Sequence, residues 1–230
     1  MTHPPLPPST RHPHEPLPHF LQRLPPFQPP HTTTTPPHHP LPRWYWITNP
    51  YNPAGFDSSG DVEGFTRAGA ALLGEFRRAV ECAAQEEGGW GRVEGWRGVL
   101  VREIAALARG FGVAGGKWML FPSESEVNEV WRVVCEGVDA GRLGVGAKVS
   151  TSGLQGDPAR LICVYTRDFT DVEDVRRVLE GLVAMGLVRA DMPRGITYKC
   201  DAYTHLGIYE NNEYGIRASI YGSSEMLAGD

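Results

Sequence analysis

Apolar positions in the second half of the chain recur with the spacing of two similar strand–helix units. Residues 117–121 are predicted to form a strand, and the helix after it has an apolar stripe at Val127, Val130, Trp131, Val134 and Val138. Residues 161–165 are predicted to form a second strand, and its helix has apolar positions at Val172, Val175, Leu179, Leu182 and Met185. This repeat indicates a domain that mixes strands with amphipathic helices.

Polar residues mark where both helices start. Ser123 precedes Glu126 by three residues, and Thr170 precedes Glu173 by the same spacing. In a capping box the hydroxyl accepts a hydrogen bond from an amide in the first turn, while the glutamate accepts one from the amide of the cap residue. The two pairs therefore predict helix starts at Ser123 and Thr170.

The rest of the pattern completes an α+β fold. It predicts strands at 43–48 and 147–151, helices at 67–85 and about 99–110, and a hairpin from 205–209 with 216–221. A largely antiparallel sheet with helices on one face fits this order of elements. A ferredoxin-like arrangement is the alternative topology.

Composition separates residues 1–42 from the rest of the chain. This segment holds 15 of the 20 prolines and 7 of the 8 histidines, with a run of threonines and few aliphatic residues. Such a composition buries too little apolar surface to offset the entropy of ordering. Residues 1–42 are therefore predicted to be a disordered tail, and 43–230 a single α+β domain with an insertion at about 55–112.

Charge and cysteine content limit the partners and the cellular location that fit this sequence. The net charge is −5, and the tail contributes +1 from Arg11, Arg23 and Glu15, so the domain carries about −6. That charge excludes duplex DNA as a partner. The four cysteines form no Cys-x-x-Cys pair, and no apolar run is long enough to span a membrane. A cytoplasmic protein without metal or cofactor is predicted, with the nucleus as an alternative location.

Aromatic and basic side chains at strand ends predict a pocket for a planar anion. Among the aromatic residues, Trp44, Trp46 and Trp118 are candidates for stacking on a base, whereas Trp131 shares the apolar stripe of its helix and is assigned to the core. The cations that flank strands are Lys117, Lys148, Arg160, Arg167 and Lys199. Tyr198, Asp201 and Tyr203 complete the predicted ligand-binding set.

His205 is the only histidine after residue 42, and it lies close in sequence to Asp201 and Tyr203. Histidine suits proton transfer near neutral pH. His205 and Lys148 are therefore the candidate catalytic residues, and a structural role for a lone strand histidine is the alternative. No histidine or cysteine spacing predicts a metal site.

Several short segments of the sequence resemble one eukaryotic family, that of the basophilic-leukaemia-expressed protein, whose domain has no known function. The matching segments lie at residues 45–47, 50–51, 116–121, 141–144, 147–151, 163–171, 201, 203–204 and 206–209. The resemblance implies a fold similar to the cap-binding translation initiation factor, with a curved antiparallel sheet backed by helices. In those factors tryptophans sandwich methylguanine and basic residues hold the phosphates. Lys148 and Arg160 fall where that phosphate-binding region would lie.

Three functions follow from these observations as hypotheses. The first is a non-catalytic module that binds RNA or a nucleotide in an aromatic and basic pocket. The second is a metal-independent enzyme that eliminates phosphate from a phosphorylated substrate, with Lys148 as base and His205 as acid. The third is a protein-interaction scaffold whose proline-rich segment at residues 4–8 binds partner domains.

Overall fold

A computed structural model describes residues 9–28, 42–52, 60–85, 90–153, 158–189, 192 and 195–229. The strands are β1 (Trp44–Thr48), β2 (Gly116–Leu120), β3 (Gly146–Ser150), β4 (Ile162–Thr166), β5 (Thr197–Cys200) and β6 (Tyr221–Gly222). The helices are α1 (Leu17–Arg23), α2 (Val62–Ala83), α3 (Trp90–Gly110), α4 (Val127–Asp139), α5 (Val172–Ala184), α6 (Asp201–His205) and α7 (Ser223–Ala228).

The strands pair into one antiparallel sheet in the order β1-β3-β4-β2-β5-β6. The predicted α+β class and antiparallel sheet are confirmed. The two strand–helix units are interleaved, because β4 lies between β2 and β3 while β2 lies between β4 and β5. This split arrangement is the one that the ferredoxin-like alternative describes for four strands, and β1 and β6 extend it on either side.

One face of the sheet is packed against helices. Trp118 of β2 is fully buried, and its indole nitrogen donates a hydrogen bond of 3.0 Å to the carbonyl of Val175 in α5. Helix α4 contacts β1 and β3 and buries Trp131 and Val134. We call this side, which also carries Tyr198, the helix-backed face. It holds the apolar core of the sheet, as alternation along the strands requires.

Part of the segment predicted to be disordered is packed against the domain. The carbonyl of Ser9 and the amide of Arg11 both hydrogen-bond to the backbone of Trp46 at the sheet edge. Phe20 of α1 is fully buried, with its ring centroid 6.5 Å from that of Trp131. The prediction of disorder is therefore wrong for residues 9–28, because one large aromatic side chain anchors a proline-rich segment. Residues 1–8 and 29–41 lie outside the described residues.

The structure shifts both predicted helix starts. The carboxylate of Asp171, rather than Thr170, accepts the capping hydrogen bond of α5, from the amide of Asp174. The hydroxyl of Thr170 donates to Asp168 instead, at 2.7 Å. At α4 the carboxylate of Glu126 does accept from the amide of Ser123, at 3.1 Å, but the helix begins only at Val127.

The predicted insertion contains two long helices packed side by side. Helix α2 buries Phe65, Leu73 and Phe76, and α3 starts at Trp90, about nine residues before the predicted position. A side-chain carbon at Gly69 of α2 would lie 2.5 Å from Leu206, so the absence of a side chain allows the close approach of the segment after α6. The residues between Asn52 and Gly60 lie outside the described part.

The predicted C-terminal hairpin is wrong. Residues 201–205 form α6, and residues 206–220 are turns that lead to the short β6. The side chain of Asn212 bonds to the backbone of Tyr209, Tyr214 and Ile216, and so holds these turns in place of strand pairing. Across the described residues, no helix combines the length and the apolar character that crossing a membrane requires.

Candidate functional site

The face of the sheet opposite the helices carries every lysine of the chain. The sequence has three lysines and 19 arginines. Strand pairing sets Lys117 opposite Lys199 and Tyr165, and places Lys148 opposite Trp46. Alternation puts these side chains on the side away from Trp118. We call this side, with Trp44, Trp46, Lys117, Lys148, Tyr165 and Lys199, the lysine face.

Lys148 lies among three aromatic rings. Its ammonium nitrogen is 4.4 Å from the ring centroid of Trp44, 4.9 Å from that of Trp46 and 5.4 Å from that of Tyr165. Within the described part of the chain it makes no hydrogen bond and no ion pair. Burial lowers the pKa of Lys148, and the positive charge of Lys117 lowers it further. The rings compensate part of this cost, since the negative face of an aromatic ring attracts a cation.

Lys117 is buried and paired. Its ammonium forms an ion pair with Asp201 and lies 3.4 Å from the hydroxyl of Thr204. Asp201 reaches it because β5 runs directly into α6, and the amide of Asp201 donates a 2.8 Å hydrogen bond to the carbonyl of Gly115, just before β2. A side chain at Gly115 would start 2.9 Å from the Asp201 carboxylate, so glycine there leaves room for the pair.

Lys199 carries the third positive charge of the face. It is buried directly opposite Lys117, and its nitrogen lies 4.0 Å from the ring centroid of Tyr209. Among the residues that the structure describes, it has no hydrogen-bond or ion-pair partner. Burial lowers the pKa of Lys199, and Lys117 adds to that effect. Like charges placed opposite each other on neighbouring strands are destabilising, so the pair costs folding free energy.

The thiol of Cys163 and the hydroxyl of Tyr165 also lie on this face, and both stay neutral at physiological pH. Burial raises the pKa of the Cys163 thiol to about 11 and also raises that of Tyr165. Arg43, at the edge, lies with its guanidinium carbon 5.7 Å from the ring centroid of Trp44. The face thus has three lysines and one arginine, against the single carboxylate of Asp201 that contacts them among the described residues. It is a basic and aromatic surface on an acidic protein.

Two of the predicted ligand contacts belong instead to the core. Trp118 and Tyr198 lie on the helix-backed face and are fully buried, with their ring centroids 5.3 Å apart. The Tyr198 hydroxyl pairs with that of Thr166. The strand pattern fixes the side on which they lie, because Trp118 follows Lys117 directly. Both residues are corrected from ligand contacts to structural residues.

The predicted arginines also lie apart from the lysine face. Arg160 is buried, forms an ion pair of 2.6 Å with Glu124, and has its guanidinium carbon 5.7 Å from the ring centroid of Phe27. Those partners place it beside the N-terminal segment, where it has a structural role. Arg167 is exposed after the end of β4, and its guanidinium donates to Asn52.

The candidate acid and base are not brought together. His205 is exposed at the end of α6 and makes no hydrogen bond or ion pair within the described ranges. Lys148 has its contacts with the aromatic rings of β1 and β4. Tyr203 lines a different cavity, beside α3. Of the residues predicted for the site, six therefore share one face: Trp44, Trp46, Lys117, Lys148, Lys199 and Asp201.

Sequence reasoning did not include Tyr165, Tyr209 or Arg43 in the site. Tyr165 follows Cys163 at the strand period, so it shares a face with Lys148 once β3 and β4 are paired. The scarcity of lysine was the signal available before the structure, because two of the three lysines, Lys117 and Lys148, fall in predicted strands. Within the described residues, no group of three or more His, Cys, Asp or Glu side chains could hold a metal ion.

Comparison with known proteins identifies the family. The model of one family, described as basophilic leukemia-expressed protein Bles03, matches residues 1–207. The match includes β1 to β5 and α6, and therefore all the lysines of the site. It leaves the fold likeness to cap-binding factors as a prediction. Because the match extends over far more than half of the sequence, the chain belongs to the Bles03 family.

Proposed function

We propose that this protein binds a nucleotide, free or as a unit of single-stranded RNA, on the lysine face without catalysing a reaction. One observation carries the proposal: all three lysines of the chain lie beside the aromatic rings of one face. The sequence has 19 arginines, and of these Arg43 lies at the edge of the same face. Lysine ammonium groups bind phosphate oxygens as compact point charges.

The electrostatics support an anionic ligand. Lys148 and Lys199 are partly desolvated and lack carboxylate partners among the described residues, so a phosphate would supply the missing counter-charge. Lys117 already has Asp201. Two unpaired lysines on either side of one paired lysine suit a ligand with more than one negative charge.

The aromatic residues support a ligand with a planar group. Trp44 and Trp46 are each partly exposed at the edge of the sheet. Stacking of a base on an aromatic side chain contributes about 1–3 kcal/mol and tolerates any base. In this arrangement the base of a nucleotide would stack on the tryptophans, and its phosphates would contact the lysines.

Fluorescence polarisation with a labelled single-stranded oligouridylate tests the proposal, with GTP and a capped dinucleotide as competitors. Lys148→Gln, Lys199→Gln and Trp44→Ala should each weaken binding by about tenfold, whereas the exposed helix variant Arg78→Gln should bind like the wild type. Each lost phosphate contact should reduce the salt dependence, log Kd against log salt, by about 0.7. Absence of binding at micromolar RNA and millimolar GTP would refute the proposal.

A second candidate is elimination of phosphate from a phosphoamino acid by Lys148 alone, since the structure does not bring His205 to it; the lowered pKa of Lys148 favours its role as the base. As a neutral amine it would take the proton next to the carbonyl, and phosphate would leave with the electrons of the broken C–O bond. O-phosphothreonine is the substrate to use, with free phosphate as the readout. Release that requires Lys148 would establish this activity, and no release above the enzyme-free rate would reject it.

A further inference from the structure

A second cavity lies away from the lysine face, between α3, the start of α5 and residues 215–221. Its volume is about 640 Å³, which is within the range of small-molecule sites. Apolar side chains form most of its wall, namely Val101, Ala105, Phe169, Ile216 and Ile220. No residue of the lysine face lines it, so it is a separate site.

Tyr203 gives this groove a polar group without a partner. Its side chain lines the groove with 3% of its surface exposed, and its hydroxyl makes no hydrogen bond among the described residues. The neighbouring hydroxyl of Tyr221 is satisfied, because it donates to the carbonyl of Phe169 at 3.1 Å. Burial raises the pKa of Tyr203, so it remains a hydrogen-bond donor. The Tyr203 hydroxyl is not among the fully buried polar atoms that lack a partner, so it is open to the groove and can donate to a ligand there.

One cation at the rim is also unpaired. Of the charged residues that line the groove, Arg97 pairs with Glu94 at 2.6 Å, and Arg217 lies 3.3 Å from the carboxylate of Glu225. Arg102 makes no ion pair or hydrogen bond within the part of the chain that the structure describes. The groove therefore offers an apolar wall, one unpartnered donor and one uncompensated positive charge.

We infer that this groove binds a small organic anion with an apolar body, of the kind represented by a medium-chain carboxylate. Arg102 compensates the anionic head, Tyr203 donates a hydrogen bond to a ligand oxygen, and the wall formed with Val101 and Ala105 takes the body. The inference does not depend on the nucleotide site, because the two sites share no residue.

Calorimetric titration of the full chain with decanoate, below its micelle concentration, tests this assignment against decanol. Decanoate should bind more tightly than decanol. Tyr203→Phe and Arg102→Gln should each weaken decanoate binding by about fivefold, the loss typical of one hydrogen bond or one partly exposed charge. Arg78→Gln, an exposed arginine on the neighbouring helix, is the matched control and should leave the affinity unchanged.

Ala105→Trp, which fills the groove, should abolish binding. Thermal unfolding of each variant shows whether it is folded, and the surface variant Arg102→Gln keeps the test valid if Ala105→Trp does not fold. No binding of decanoate at millimolar concentration would overturn the inference. Equal affinity for decanoate and decanol would overturn it too, as would affinity that neither Arg102→Gln nor Tyr203→Phe changes.

Discussion

The two faces of the sheet use consecutive residues for opposite purposes. On the helix-backed face, Trp118 is fully buried, its indole nitrogen is hydrogen-bonded, and Tyr198 pairs with Thr166. On the lysine face, Lys148 and Lys199 are partly desolvated and lack polar partners among the described residues. The polar groups of Trp118 and Tyr198 have partners within the chain, whereas two lysines of the other face have no carboxylate partner among the described residues.

This difference indicates which face contributes most to stability, and it is the reason for proposing that the other face binds a ligand. Buried, paired groups lower the free energy of the folded state, whereas clustered cations raise it. Proteins commonly retain unfavourable arrangements of this kind where a ligand completes them. Lys117 and Trp118 are adjacent in sequence, so the division between the two faces can be tested one residue at a time.

The largest effect should come from removing a core tryptophan. Trp118→Ala should reduce the free energy of unfolding by about 4 kcal/mol, because it opens a large cavity and removes the indole hydrogen bond to the Val175 carbonyl. Trp44→Ala on the lysine face should cost about 1 kcal/mol or less, because that ring is only partly buried. Urea denaturation measures both values, and equal losses would contradict the division between the faces.

Phe20→Ala should follow, with a loss of about 3 kcal/mol. Its ring belongs to the core of the helix-backed side through Trp131, although it comes from the proline-rich segment. His19→Ala, an exposed neighbour on the same helix, is the control and should change stability little. Denaturation of Phe20→Ala that matches the wild type would show that residues 9–28 do not contribute to the fold.

The sequence alone was sufficient to predict those strands and helices in which apolar residues recur with a regular period. Alternation in β2 and the apolar stripe of α4 predicted the right class and placed Trp131 in the core. It was insufficient where long-range contacts decide. The packing of Phe20 on Trp131 depends on a partner more than 100 residues away, which local composition does not reveal.

The candidate site shows the same limit. Lys117 and Lys148 were predicted as site residues, but the role of Tyr165 depends on strand pairing, which brings it between these two cations. Arg160 was predicted to bind a ligand. Its actual partner, Glu124, lies 36 residues earlier in the chain, and the local sequence does not reveal that pairing. Pairing between distant residues therefore decided which cations are available.

Asp201→Asn tests the one compensated charge of the lysine face. It should cost about 2 kcal/mol, because the buried Lys117 would then lie opposite Lys199 without a counter-charge. Adding Lys117→Met to this variant should restore much of the lost free energy of unfolding, since the cation without a partner is then absent. Chemical denaturation of both variants provides the comparison. A double variant no more stable than Asp201→Asn would show that the repulsion is unimportant.

The smallest effect concerns pH. The pKa values of Lys148 and Lys199 are lower in the folded protein than the ordinary lysine value of 10.5, so the unfolded chain binds more protons just below pH 10.5. Stability from these groups therefore rises with pH through their folded pKa values and levels off near 10.5.

The difference in thermal midpoint between the wild type and Lys148→Met/Lys199→Met isolates this contribution from that of the buried tyrosines. Between pH 7 and pH 10, the thermal midpoint of the wild type should rise relative to that of the double variant. A relative loss over that range would mean that the contacts with aromatic rings outweigh the cost of burial.

Methylated-lysine NMR tests the central claim most directly, namely that the lysine face binds a phosphate-bearing ligand. Reductive methylation with ¹³C-formaldehyde keeps the positive charge and labels the three lysines and the amino terminus, so each lysine can be followed in the full chain. On titration with GTP or an oligouridylate, the signals of Lys117, Lys148 and Lys199 should shift together and saturably, while that of the amino terminus stays in place. Lysine signals that do not move at millimolar GTP and micromolar RNA would contradict the account.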